Sequence, residues 1–110
     1  MGLRHVVVVA FRSDADDGQR RAVFDGLGRL PALIPEIRAY SFGPDAALQG
    51  GNLDFAIVAD FDDAAGFLAY VEHGEHRAFR DGVFLPAVEQ RFAVQFETDL
   101  PVQGDAGTGT

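Results

Sequence analysis

Two stretches of this chain have the composition of β-strands, and each carries apolar side chains on both faces. Residues 4–11 read RHVVVVAF and residues 53–61 read LDFAIVADF. Successive side chains of a strand point to opposite faces, so each strand needs cover from both sides. In a chain of 110 residues, helices can cover one face of a sheet. The other face then needs a second subunit, because soluble monomers rarely expose a large apolar patch. The sequence therefore predicts a homodimer through the open sheet face.

Two helical regions separate the strands. The first begins at an N-cap, Ser13 or Asp14, and ends in the proline-containing segment LPALIP. The second begins after Asp62 or Asp63, and Gly74 interrupts it. Apolar residues recur at helical spacing in both regions, which predicts amphipathic helices packed on a sheet.

Two further strands complete the pattern. Residues 36–42 read EIRAYSF, and residues 91–97 read RFAVQFE. The order β-α-β thus occurs twice, which predicts an α+β fold of the ferredoxin-like split βαβ type. In this fold a four-stranded antiparallel sheet carries helices on one face. The domain is expected to span residues 1–100, and residues 101–110 have too little apolar surface to order themselves and predict a disordered C-terminal tail.

Charge and missing residue types exclude several classes of function. The formal net charge is −8, and nine arginines are scattered among seventeen carboxylates, so neither nucleic acid nor a membrane surface is an expected partner. The chain has no cysteine for thiolate or disulfide chemistry and no lysine for a Schiff base. No apolar run reaches the length of a membrane span, and the first is too short for a signal peptide. We expect a cytoplasmic protein.

The segment 70–79, YVEHGEHRAF, concentrates the groups able to move protons near neutral pH. It holds two of the three histidines and one of the two tyrosines. In a continuous helix Tyr70, His73 and His76 would share a face. Two histidines at this spacing lack the further ligands of a zinc site, so no bound metal is expected. The alternative is a structural role, with His73 capping a helix junction and His76 half exposed.

Two other polar rings are ambiguous. His5 stands on a strand face with Val7 and Val9, where a polar ring needs a hydrogen-bond partner. It is either a satisfied buried histidine or a polar group at the end of a hydrophobic pocket wall. Tyr40 has no chemical group beside it in the sequence, and we assign it to the core.

Four segments together resemble the stress-responsive A/B barrel domain, known as Dabb. They are RHVVVVAF, LPALIPEIRAYSFG, DFAIVADFDDAAGFLAYVEHGEHRAF and VEQRFAVQFE, which span about residues 3–98. The most specific parts are the histidine two residues into the first strand and the FDD segment with its tyrosine and histidines. The resemblance implies a dimeric α+β barrel, in which two four-stranded sheets pack face to face.

The best understood activity of that family belongs to a cofactor-free plant polyketide cyclase. The enzyme folds a linear poly-β-keto thioester by aldol condensation. The resemblance places its catalytic tyrosine and histidine on Tyr70 and His76, and a supporting histidine on His5. Two polar pocket residues of the cyclase fall on Leu27 and Phe55, which implies a more apolar pocket here. The residues expected to bind substrate are Val7, Val9, Leu27, Phe55, His73 and Phe79.

The resemblance implies general-base chemistry without a cofactor. Neutral His76 would take a proton from a carbon flanked by two carbonyls, while the Tyr70 hydroxyl would hydrogen-bond the developing enolate. The small hydrophobic or polyketide-like substrate would occupy the pocket. Two alternatives stay open: a cofactor-independent monooxygenase, which also uses pocket His and Tyr, and a non-catalytic stress-responsive domain whose histidines are structural.

Overall fold

A four-stranded antiparallel sheet forms the frame of the protein. The computed structural model describes residues 2–99, so the predicted tail at 101–110 lies outside the described residues. The strands lie in the order β2-β3-β1-β4. Their bounds are β1 (Gly2–Phe11), β2 (Ala39–Pro44), β3 (Phe55–Phe61) and β4 (Val88–Thr98). The two strands that are apolar on both faces, β1 and β3, are the central pair, which confirms the predicted split βαβ arrangement.

The helices cover one face of this sheet. They are α1 (Asp17–Leu33), α2 (Ala64–Glu72), α3 (Gly74–Phe79), a π-helical turn (Arg80–Phe84) and the single turn α4 (Leu85–Ala87). Asp63 caps α2 by accepting a hydrogen bond from the backbone N–H of Gly66, as one of the two predicted candidates. None of the helices among residues 2–99 is long and apolar enough to cross a membrane.

Helix α1 begins later than predicted, because a better cap lies further along the chain. Asp16, rather than Ser13 or Asp14, is the N-cap. Its carboxylate accepts from the backbone N–H of Gln19 at 2.8 Å, and the Gln19 side chain accepts from the backbone N–H of Asp16 at 2.9 Å. This capping box satisfies two backbone donors at once. Asp14 instead pairs with Arg12 at 3.1 Å.

The core lies between the helices and the odd-numbered side chains of β1 and β3. Its largest fully buried side chains are Phe61, Leu27, Ile34, Val9 and Val23. These come from α1, both central strands and the residue after α1, so helix and sheet bury one another. The packing leaves the even-numbered side chains of the central strands on the opposite side of the sheet.

That opposite side, here called the open face, is apolar, and no other part of residues 2–99 covers it. Its residues are Val6, Val8, Ala56, Val58, Phe92, Val94 and Phe96. Phe92, Val94 and Phe96 are exposed by 58%, 55% and 45%. At one end, Arg4 Nε pairs with the Asp60 carboxylate at 2.7 Å. The open face is therefore an uncovered apolar surface with an ion pair at its edge.

Candidate functional site

A cavity of about 300 Å³ lies between the helices and the sheet. Its polar lining residues are His5, Tyr70, His76, Arg80 and Arg91, and its other lining residues are aliphatic or aromatic. A mostly apolar cavity with a few convergent polar groups is the usual form of a small-molecule site. The segment that continues from α3 into this cavity wall is π-helical, a conformation often found at functional sites.

The break between α2 and α3 brings His76 against Tyr70. His73 ends α2 with an extended backbone, at ψ 136°, and its Nδ1 accepts from the backbone N–H of Glu75 at 3.1 Å. The chain turns there, and the rings of Tyr70 and His76 lie 4.3 Å apart between centroids. His73 does not line the cavity. Within residues 2–99, no group of three or more potential ligands could hold a metal ion.

His76 is held as a neutral base. Its Nδ1 lies 3.3 Å from the carbonyl oxygen of Val71. A carbonyl only accepts, so Nδ1 carries the proton and Nε2 carries the lone pair. Burial lowers the pKa of His76, and the hydrogen bond to the Val71 carbonyl partly opposes this effect. The charges of Arg80 and Arg91 add to the lowering. The ring is therefore unprotonated near neutral pH.

Tyr70 belongs to a pair of tyrosines. Tyr40 packs against the core as predicted, but the expectation that it has no chemical group beside it was wrong. The two hydroxyl oxygens lie 3.0 Å apart. Burial raises the pKa of both phenols. Either hydroxyl can donate in this bond. When Tyr40 donates, Tyr70, only 4% exposed, keeps its own proton for a ligand in the cavity.

His5 is buried and has the hydrogen-bond partner that its position requires. Gln95, directly opposite in the β1–β4 register, places its amide nitrogen 2.8 Å from His5 Nδ1. The amide donates, so Nδ1 accepts and Nε2 carries the proton. Burial, followed by the charges of Arg91 and His76, lowers the pKa of His5 to about 4. Among the described residues no hydrogen bond joins His5 to Tyr70 or His76.

The lowered pKa of His5 predicts that the protein loses stability in mild acid. The unfolded chain binds a proton near pH 6.5 and the folded chain near pH 4, so the free energy of unfolding falls as pH falls through this window. We expect a loss of roughly 2 kcal/mol between about pH 7 and pH 4.5. Urea unfolding midpoints measured across this range test the expectation.

The control compares two histidines. His5→Gln should reduce the pH dependence, because glutamine does not titrate, and the lowered pKa of His76 should account for part of what remains. His73→Gln, outside the cavity, should retain it. An equal slope in His5→Gln and the natural protein would show that other groups cause the acid sensitivity.

The structure brings together most, but not all, of the residues singled out from the sequence. Those that line the cavity are Tyr70, His76, His5, Val7, Leu27 and Phe79. Val9 is fully buried in the core, and Phe55 packs among the rings of Phe11 and Phe24 away from the cavity. Neither side chain lines the cavity.

Sequence reasoning missed four polar residues of the site. Arg91 and Gln95 share the helix-side face of β4, and Arg80 opens the π-helical turn. Tyr40 shares the helix-side face of β2. A signal existed for Gln95, because it lies between Val94 and Phe96, whose apolar side chains point the other way. Placing the strand residues beside His5 and Tyr70 required the strand order, which the alternation alone does not contain.

The fold matches solved structures of ferredoxin-like proteins. One is a dimeric ferredoxin-like protein of unknown function from Thermobifida fusca, with 42% identity over 89% of this chain and 92% of that chain, and a TM-score of 0.82. A Dabb family protein from Mesorhizobium loti has 18% identity over 88% and 96%, with a TM-score of 0.75. The hydroxynitrile lyase of Passiflora edulis has 21% identity over 91% and 97%, with a TM-score of 0.78. The last two likenesses show the fold alone.

The match to a known protein family covers nearly all of the described residues. Comparison with curated proteins finds no matching sequence. Residues 3–98 match the family described as the Stress responsive A/B Barrel Domain, Dabb. The match begins in β1, ends at the last residue of β4 and includes every residue that lines the cavity. This chain belongs to the stress responsive A/B barrel domain family.

Proposed function

We propose that this protein binds a small hydrophobic or polyketide-like molecule and acts on it, without a cofactor, as a cyclase or lyase. The observation that carries the proposal is the pairing of His76, neutral and with a free Nε2 lone pair, with the Tyr70 hydroxyl in one largely apolar cavity. The Passiflora hydroxynitrile lyase has the same fold, which makes lyase chemistry on this frame a reasonable analogy.

The proposed reaction begins at an acidic carbon between two carbonyls. Nε2 of His76 takes the proton from that carbon, and the electron pair moves onto the carbonyl oxygen. Tyr70 donates a hydrogen bond to the resulting enolate oxygen. The carbon then attacks a second carbonyl of the same molecule, and the His76 imidazolium returns the proton to the new alkoxide. Each of the two groups contributes a factor of about 10²–10⁴ to the rate.

We assign His5 a supporting role in this reaction. Its Nδ1 is occupied by Gln95, so its Nε2–H is the atom available to donate to a bound molecule. Its pKa of about 4 keeps the ring uncharged at neutral pH, so it orients without competing with His76 as a base.

We also propose that the protein is a homodimer through the open face. The argument is the exposure of the apolar side chains on β4, which lie beside the apolar even-numbered side chains of β1. The Thermobifida protein, 42% identical, is described as dimeric. Two open faces packed together would cover the second side of both central strands.

The test follows proton removal from a carbon acid. Ethyl benzoylacetate, a β-keto ester with an aromatic ring, is incubated with the protein in D₂O, and proton NMR follows loss of its methylene signal. We expect faster exchange than in buffer, and Tyr70→Phe should lower the rate by about 10²-fold with little change in binding. Release of benzaldehyde from mandelonitrile tests the lyase alternative.

Tyr40→Phe is the matched control for that variant. It removes the other hydroxyl of the pair. It therefore tests whether losing the hydrogen bond between the two tyrosines is enough to explain the lower rate of Tyr70→Phe. We expect it to lower the rate less than Tyr70→Phe does. Exchange and cleavage at the buffer rate in the natural protein would contradict the proposed activity and favour a non-catalytic domain.

A further inference from the structure

Arg91 is a positive charge at the cavity that no carboxylate of residues 2–99 neutralises. Five of the nine arginines form ion pairs with aspartate or glutamate, and Arg91 is not among them within residues 2–99. Its side chain is exposed, yet it lines the cavity. It therefore lies where the cavity meets solvent, on the edge strand β4, with its hydrogen-bond donors available.

The other residues that line the cavity are uncharged near pH 7 or, in the case of Arg80, already paired. Among the described residues, no aspartate or glutamate lines the cavity. Arg80 also lines it, but its Nε pairs with the Asp81 carboxylate at 2.9 Å. His5 and His76 are neutral near pH 7 because burial lowers the pKa of each. One unpaired guanidinium at the end of an apolar cavity is a site for one anionic group.

The strand register separates the backbone of Arg91 from the polar rings, and its side chain shortens the gap. Arg91 lies opposite Val9, and Gln95 lies opposite His5, so the Cα atoms of Arg91 and Gln95 are four residues, or roughly 13 Å, apart along β4. The long Arg91 side chain nevertheless lines the same cavity as His5, Tyr70 and His76. A ligand in the cavity can therefore contact the guanidinium and the rings together.

We propose that the ligand of this cavity carries a carboxylate, and that Arg91 binds it. The inference rests on the proposed function, and it narrows the substrate class to hydrophobic molecules with one acidic end. Guanidinium presents parallel N–H donors that match the two oxygens of a carboxylate. A single unpaired cation suits a monoanion better than a phosphate dianion, which is usually held by several donors.

One electrostatic observation supports this assignment. After burial, the Arg91 charge is the next largest cause that lowers the pKa of His5, and it acts on Tyr70 and His76 in addition. Arg91 is thus close enough to influence the proposed reaction centre. The net charge of −8 repels anions, but physiological salt screens this repulsion beyond about 8 Å, so the local charge at the cavity has the larger effect.

The experiment compares a carboxylate with its neutral counterpart. The protein is titrated with 2-naphthoate and with 2-naphthamide, which share a ring system and differ in charge. Since the chain has only three histidines, imidazole NMR signals can be assigned by single substitutions and report binding at His5 and His76. We expect naphthoate to bind about tenfold more tightly than naphthamide. Arg91→Gln should abolish this preference, whereas Arg21→Gln, an exposed arginine on α1, should leave it unchanged.

The outcomes separate this inference from the function beneath it. Equal affinity for both probes in the natural protein, or a preference that survives Arg91→Gln, would overturn the role of Arg91 and leave the apolar binding site standing. Failure of both probes to shift the His5 and His76 signals would overturn the binding site and this inference together. A shared loss of preference in Arg91→Gln and Arg21→Gln would show a general charge effect and overturn the assignment.

Discussion

Replacing His76 by alanine is expected to lower turnover by at least about 100-fold while changing stability little. The loss follows because Nε2 of His76 is the basic atom proposed to take the substrate proton. The stability cost is small because the ring is only half-buried and makes one long hydrogen bond, at 3.3 Å, to the Val71 carbonyl. Steady-state rates and urea unfolding of the same preparation measure both quantities.

Two controls separate catalysis from structure. Added imidazole should partly restore the rate of His76→Ala, because the variant leaves a vacancy in the cavity wall where a free base can bind. His73→Ala alters the same helix junction outside the cavity, so it should retain most of the rate. If His76→Ala loses more than about 2 kcal/mol of stability, the range for a buried hydrogen-bonded group, the ring is structural.

The pH dependence of the rate gives an independent check on His76. Its pKa is lowered in the folded protein, so the neutral base persists below the pH at which an ordinary histidine becomes charged. The rate should therefore stay level through pH 6.5 and decline only in more acidic solution. A decline centred above that pH would assign the reaction to another group.

The strands and helices could be predicted from the sequence because the patterns that indicate them lie within short segments. Alternation within RHVVVVAF and LDFAIVADF places two strands, and the aspartate before each helix is a short-range cap signal. The first cap was misplaced by two or three residues, since several aspartates and a serine compete there and only Asp16 has a glutamine three residues later. Which aspartate caps the helix therefore depends on whether a side chain three residues later can return a hydrogen bond.

The site was predicted only in part because half of it depends on pairing between distant segments. Tyr70 and His76 lie six residues apart and were recognised together. His5 and Gln95 are separated by 90 positions, and only the β1–β4 register places them side by side. Arg91 became part of the cavity for the same reason. Pairings of such high sequence separation leave no periodic trace in the chain.

A dimer through the open face would explain why both central strands are apolar on two sides. One introduced charge tests this proposed interface. Val94 lies in the middle of β4, opposite Val6, and is 55% exposed in the protomer. An aspartate there stays hydrated while the protomer is alone. In a dimer through this face the same carboxylate is buried without a partner, and each interface holds two copies.

Val94→Asp is therefore expected to convert the dimer to a folded monomer. An unpaired buried charge costs about 3–5 kcal/mol, so the dissociation constant should rise by at least about 100-fold. Sedimentation at micromolar concentration measures the assembly, and circular dichroism checks the fold. Ala93→Asp is the matched control, because it places the same charge one residue away on the opposite side of β4 and should remain dimeric. A natural protein that sediments as a monomer, or a Val94→Asp variant that remains a dimer, would show that the open face is not the interface and would leave its exposed phenylalanines without an explanation.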